Sequence, residues 1–591
     1  MKLRGTVTLT VLFAAPALLA ACSTVSYFSN TRPSAAATAA TQDTPFGGLP
    51  AVTPPANARA MGDFLKAEYA SNQGDRKAAM GFYEDAVRDD PTNATLRVRL
   101  ATLYVRDGQL PQALAQVNRA LELDPTLVDA RLLAAGLDSA TGDNATAAKQ
   151  YEQVLKTDPK NQEAYLYLGT LYAKQGNYKQ ALATFQRMIT LDPRSFLGYY
   201  YAGRVSAAAQ NYPAADNYFQ QALVLNPDSE LVLMDVALLR ELEGKTQEAE
   251  QIYHRILLSN PDDDTARKRL AELYVGQKKF DQALDEFKRL EKLETNPEDT
   301  RIKIGLLYFE RGDFERAAVE FNLVLGAQPN NYRVHYYLGS VYSEMNEPKK
   351  AEAQFQQIPP NADHFVESRV HLAYLYDKDK QYDEAIAVLK QALEKKPNDA
   401  ELMGFMAGIY REKKDLPDAI ALLQKMTVAD PKNDKFHFTL GALYDEDKQQ
   451  QESIAQMKEA IRLNPSNAQA LNYLGYTYAE MGTNLSEAEK LVRRAIDLEP
   501  QDGFYIDSLG WVYYRQGHYR EAAKELERAV DLTDDDPTIT EHLADTYEKL
   551  GKYEAANHLY KQALAKSQES DQVQRLRLKL QSLRAEQHVQ Q

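Results

Sequence analysis

The chain has 591 residues, 44% of them hydrophobic, with 28 Gly and 25 Pro, the composition of a folded protein and not of a disordered one. A formal charge of −15 without any Lys/Arg cluster excludes the basic stripe that marks nucleic-acid binders, and a single cysteine, Cys22, excludes an internal disulfide framework. The length exceeds what one ordinary core holds, so the chain divides into several domains or stacks repeats that each pack only on their neighbours.

The first element is an export signal. Lys2 and Arg4 precede a mostly apolar run from Thr6 to Leu19, too short to span a bilayer comfortably. The following Leu19-Ala20-Ala21-Cys22 resembles the bacterial lipoprotein box, and the lone cysteine falls on its required position. The resemblance implies that residues 1–21 are a signal peptide and that Cys22 is lipidated and becomes the first mature residue, a membrane anchor. Ser23, in place of Asp, favours the outer membrane by resemblance to the sorting rule of enteric bacteria. Residues 22–59 hold the lipidated Cys and a stretch rich in Ala, Thr, Ser and Pro, as in Thr53-Pro54-Pro55, without a 3.6-residue apolar pattern. This reads as a flexible tether with an r.m.s. reach of roughly 30–35 Å.

From residue 60 to 566 the sequence repeats. Pro91, Pro125, Pro159, Pro193, Pro227 and Pro261 stand at one constant interval; the phase slips at Pro297 and Pro329 and returns at Pro397, Pro431 and Pro465. Residue types recur at fixed offsets. The clearest unit carries Leu168-Gly169, Tyr172, Gly176, Tyr178, Ala181, Phe185 and Pro193; the pattern returns at Leu338-Gly339, Leu440-Gly441 and Leu509-Gly510. The small residues let two helices approach closely, Gly near the end of the first helix suits a C-cap, and Asp-Pro or Asn-Pro ends the second. The period of about 34 residues and these offsets resemble the tetratricopeptide repeat. The resemblance implies an all-α superhelical solenoid of about 15 helix-turn-helix units. The truncated unit ending at Ile358-Pro359-Pro360 is a candidate join between sub-arrays near 358–364. Residues 567–591 read as a polar capping helix and tail.

In that family, first-helix positions outside the packing set line a concave face and hold ligands. Carried onto this chain they are Tyr200, Arg204, Leu238, Leu306, Phe309, Tyr336, Tyr374, Phe438, Tyr476, Trp511 and Tyr514. An exposed aromatic stripe points to protein or peptide binding, since Tyr and Trp dominate hot spots. Trp511 and Tyr514, three residues apart, share a helix face, and with Tyr476 they are expected to form one open aromatic patch. No catalytic constellation accompanies the repeats. His364 and His371 lack the H-E-x-x-H pattern, and no P-loop occurs. The runs Asp262–Asp264 and Asp534–Asp536 suit caps and turns. The expectation is a non-enzyme without metal or cofactor, whose partners are proteins or peptides and a membrane.

Three stretches are more specific: Leu471 to Ala479, Asp507 to Arg515, and Thr540 to Asp545. They resemble the C-terminal part of bacterial outer-membrane tetratricopeptide lipoproteins, over roughly 465–566. One type of these is an adaptor that binds a periplasmic carboxyl-terminal processing protease and presents peptidoglycan hydrolases to it. The implied function is a membrane-anchored periplasmic scaffold or adaptor. The alternative is an assembly factor for a type IV pilus secretin or an exopolysaccharide export machine.

Overall fold

The computed structural model describes residues 55–590, and the side chains as far as residue 583. The signal peptide, Cys22 and the tether up to residue 54 lie outside the described residues. Among the described residues there are 31 α-helices and no strand. They run as fifteen antiparallel pairs followed by one unpaired helix. The first helix, Ala56–Asn72, takes in residues 56–59, the end of the expected tether.

The local causes are repeated in each unit. In the pair Gln162–Lys174 and Tyr178–Leu191, Asn161 caps the first helix by accepting the Ala164 amide at 2.9 Å. Gly176 follows the first helix at φ +76, the left-handed turn that Gly adopts without penalty. Asp263 and Asp536 cap helices in the same way, so the acidic runs are turn residues, as expected. The pair closes on Gly169, where an added Cβ would stand 2.5 Å from the Phe185 ring. Ala181 and Phe185 are fully buried there. Large aromatic and absent side chain are therefore one packing device.

Two polar devices join neighbouring helices. The repeat tyrosine reaches the preceding unit's second helix: Tyr104 donates to Glu84 at 2.7 Å, Tyr172 to Glu152 at 2.9 Å and Tyr547 to Glu527 at 2.6 Å. A second position ties the boundary turn down. His335 bridges the Pro329 carbonyl (2.9 Å) and Gln354 (2.8 Å), a position that Arg131 fills on Pro125 and Gln150. Two of the scattered histidines, His335 and His437, are thereby structural.

The described chain forms two compact units, divided at Leu307/Tyr308. The first holds seven complete pairs. In the second, the short helix Pro348–Gln356 gives way to a turn at 358–364. Ile358 and Phe365 belong to one apolar core running from Ala351 to Tyr444. Ile358, just past the shortened helix, is itself buried in that core. The last helix, Ser570–Gln590, buries Leu576, Leu580 and Leu583 against Ala544 and Tyr560.

Candidate functional site

First helices of successive pairs lie side by side, and the residues of the expected binding face sit on them. Their surroundings differ sharply. In the first unit Tyr200 is 2% exposed, packed against Phe196, Tyr201 and Phe219. Arg204 lies over the Tyr200 ring and pairs with Asp235 at 3.5 Å. Burial raises the Asp235 carboxyl, against the opposing charge of Arg204. Tyr200 and Arg204 are thus occupied within the fold, and the expectation that Tyr200 stands open is corrected. Leu238 and Leu306 are half-buried.

In the second unit Phe309 is half-buried against Phe314, 5.5 Å away. Tyr336 stacks on His364 at 4.6 Å and meets His371 edge-on at 5.7 Å. His364 caps the Phe365–Lys378 helix in the left-handed conformation; His371, one of its residues, stacks on Phe355 at 5.0 Å. The two histidines converge on one tyrosine as packing partners. Burial pushes the His371 imidazole below its usual range. Phe438 is half-buried, with Tyr473 perpendicular at 6.1 Å.

Tyr374 differs from all of these: it is 44% exposed. The next first helix, Ala400–Glu412, carries Gly404 and Gly408 at the offsets filled elsewhere by aromatics, and both face open space. Two helix-interior glycines cost roughly 1 kcal/mol each relative to Ala. Neither is required by a neighbour. They leave a gap on the first-helix face between the helices that carry Tyr374 and Phe438. The signal was present in the sequence as two glycines four apart at binding-face offsets, and aromatic content alone did not find it.

At the C-terminal end the expected open patch is closed. Trp511 is 9% exposed and stacks on Tyr514 at 4.6 Å and on His542 at 4.1 Å; its Nε1–H donates to Glu480. Tyr476 is half-buried, 6.5 Å from His542. His542 Nδ1 is hydrogen-bonded to Asp507 at 2.8 Å. Burial alone would lower the His542 imidazole, but Asp507, with Asp545 and Glu480, outweighs it and raises it above the usual range. Trp511 thereby welds three successive first helices, and its expected role as an open anchor is corrected for that reason. Tyr514 stays half-buried, its hydroxyl pushed up to about 12 by burial.

The terminal helix then covers the last first-helix face. Glu541 accepts from Arg575 at 2.8 and 3.0 Å, and Lys579 reaches Glu541 at 2.9 Å and Asp545 at 2.6 Å. Asp507, Glu541 and Arg575 occupy one offset in successive units; Trp511, Asp545 and Lys579 occupy another. The terminal helix is therefore the first helix of a further unit, with its charge reversed to match the acids beneath it. Among the described residues no group of three or more His, Cys, Asp or Glu is placed to hold a metal, and no helix is long and apolar enough to cross a membrane.

The chain is similar to known repeat proteins. Two sequence profiles described as tetratricopeptide repeat match residues 71–137, 241–304, 308–374 and 378–443, and residues 132–196, 448–503 and 508–574. A TPR repeat-containing protein of Pseudomonas aeruginosa is 47% identical over 55 residues, which is 9% of this chain and 9% of that protein. Among solved structures, a tetratricopeptide repeat protein of Parabacteroides merdae is 21% identical, covering 42% of this chain and 99% of its own, with TM-score 0.35. The C-terminal part of a TPR repeat-containing protein of Cytophaga hutchinsonii is 15% identical, covering 41% and 99%, with TM-score 0.38. The Pseudomonas aeruginosa pilF protein is 23% identical, covering 34% and 92%, with TM-score 0.30. With the profiles matched over most of its length, the chain belongs to the tetratricopeptide repeat family.

Proposed function

We propose that this protein is a membrane-anchored scaffold of the periplasm, tethered through Cys22 to the outer membrane, that binds a protein or peptide on the first-helix face of its second unit. Tetratricopeptide arrays act as protein–protein interaction scaffolds and are generally non-catalytic. The observation that carries the binding reading is Tyr374, exposed beside the gap at Gly404 and Gly408 on a face whose other aromatics are packed. A ligand backbone approaches most closely where side chains are missing, and an exposed tyrosine beside the gap supplies an anchor of low conformational cost.

The anchoring reading is supported by the Leu19-Ala20-Ala21-Cys22 sequence, and the adaptor reading by the stretches from Leu471 to Asp545. In this role the array presents a client to a protease or a peptidoglycan-modifying enzyme, the tether raising their effective concentration. The test is affinity capture from the envelope followed by mass spectrometry, comparing the wild type with Tyr374→Ala. Recovery of a protease or wall enzyme by the wild type and its loss in the variant supports the proposal. Recovery of pilus or polysaccharide-export components instead favours the assembly-factor alternative. Equal capture by both proteins overturns the site.

A further inference from the structure

We propose that the peptide received at the Tyr374 gap carries a Lys or Arg side chain whose cation is held between Asp377 and Glu412; this rests on the docking reading above. Asp377 follows Tyr374 by three residues on one first helix, and Glu412 follows Gly408 by four on the next. Each acid therefore lies about one helical turn from the gap, on the side of its own helix that bears it. The two carboxylates are close enough to act on each other: burial first, and then the charge of Glu412, raise the Asp377 carboxyl. The following first helix, Asp434–Glu446, places Asp445 and Glu446 at the corresponding offsets.

The fold answers the second pair of acids and leaves the first. Asp445 accepts from the Tyr473 hydroxyl at 2.7 Å, and Glu446 pairs with Arg411 at 2.6 Å. Lys378 and Lys413 adjoin Asp377 and Glu412 in sequence but pair with neither, and Lys413 reaches Asp383 at 2.7 Å. Among the described residues the Asp377 and Glu412 side chains have no ion-pair or hydrogen-bond partner, and Oδ1 of Asp377 is shut off from solvent with no donor to accept from. A carboxylate oxygen without water and without a donor costs free energy in the empty protein.

The last pairs show the same kind of face with its cations supplied from within. There Arg575 and Lys579 lie on Glu541, and His542 lies on Asp507. At the gap the chain supplies none, and Gly404 and Gly408 leave space for one to enter from outside. An acidic segment would be repelled there, and an apolar one would leave the Asp377 oxygen unpaired. A Lys or Arg side chain satisfies both demands, its aliphatic stem lying on the exposed ring of Tyr374 and its charged end on the carboxylates.

The test is selection from a random peptide library displayed on phage, against the full chain solubilised in detergent. EDTA is present so that no divalent ion stands in for the cation. Wild type, Tyr374→Ala and the double variant Asp377→Asn with Glu412→Gln are run side by side, each shown to be folded by its thermal unfolding. Peptides that need Tyr374 are expected to be rich in Lys and Arg, to bind the double variant about tenfold more weakly and to weaken with added salt. Glu412→Lys, at an exposed position, should turn the selected preference toward Asp and Glu. Tyr374-dependent peptides without basic residues, or basic ones bound equally by the double variant, overturn the proposal and leave the docking reading standing. Absence of any Tyr374-dependent peptide overturns the docking reading, and the proposal with it.

Discussion

The imidazole of His542 lies on the indole of Trp511 with ring centres 4.1 Å apart, and it is hydrogen-bonded at 2.8 Å to Asp507 of Trp511's own helix. Burial opposes protonation of His542, but Asp507, Asp545 and Glu480 outweigh it, so the imidazolium is held above its usual pKa. A raised folded-state pKa stabilises the protein fully below the unfolded value of about 6.5, and this contribution is lost as pH rises through the folded value. The C-terminal hairpins are therefore expected to lose stability on going from pH 6 to pH 9. His542→Gln should flatten that dependence, read as the unfolding midpoint against pH and by NMR titration of the labelled histidine. An unchanged slope in the variant would assign the dependence to other groups.

The terminal helix should be labile in acid. Burial disfavours the Glu541 carboxylate, but Arg575 and Lys579 outweigh it and hold its pKa at about 2. A depressed carboxyl contributes above its unfolded value, near 4.3, and the contribution is lost as pH falls through about 2. Amide exchange in Ser570–Gln590 should accelerate over that window before exchange elsewhere does. Arg575 is half-exposed, so Arg575→Ala should weaken docking by only about 1 kcal/mol. Lys579, which bridges two acids, should matter more.

Gly408→Leu should separate binding from stability. The site is open and helical, so a good helix former there is expected to raise stability by up to about 1 kcal/mol. The same side chain fills the gap beside Tyr374 and should lower partner capture at least tenfold. Stability raised with capture unchanged would remove the gap from the binding face.

Tyr374→Ala and Tyr200→Ala should behave oppositely. Truncating exposed Tyr374 should cost about 2 kcal/mol or more of binding and little stability. Truncating buried Tyr200 should cost about 3–5 kcal/mol of stability. Thermal unfolding and affinity capture, run on both, give the two readouts.

Turn and packing chemistry give the sharpest stability test. Lys414 holds φ +65 at the offset where Gly176 holds +76. Lys414→Gly should stabilise by about 0.5–1 kcal/mol by relieving the left-handed penalty. Gly169→Ala drives a Cβ into the Phe185 ring and should cost about 1–3 kcal/mol, partly recovered by adding Phe185→Leu.

The repeat is legible in the sequence: the prolines, Gly169 against Phe185, the turn glycines and the Asn and Asp caps all stand where the period places them. The physical reason is that each helix pair packs on its sequence neighbours, so the interactions that define the fold recur at fixed short separations and appear as residue types at fixed offsets. Which first-helix residues are open is set by packing between pairs. Trp511 stands at the offset of Tyr374 and Tyr200 one helical turn before it, and all three are aromatic, yet Phe219 encloses Tyr200, and His542 and Glu480 enclose Trp511, while two glycines leave Tyr374 bare. Exposure on that face depends on what the adjoining pairs place against it. It is a property of three helices together, and a periodic reading of one helix at a time does not contain it.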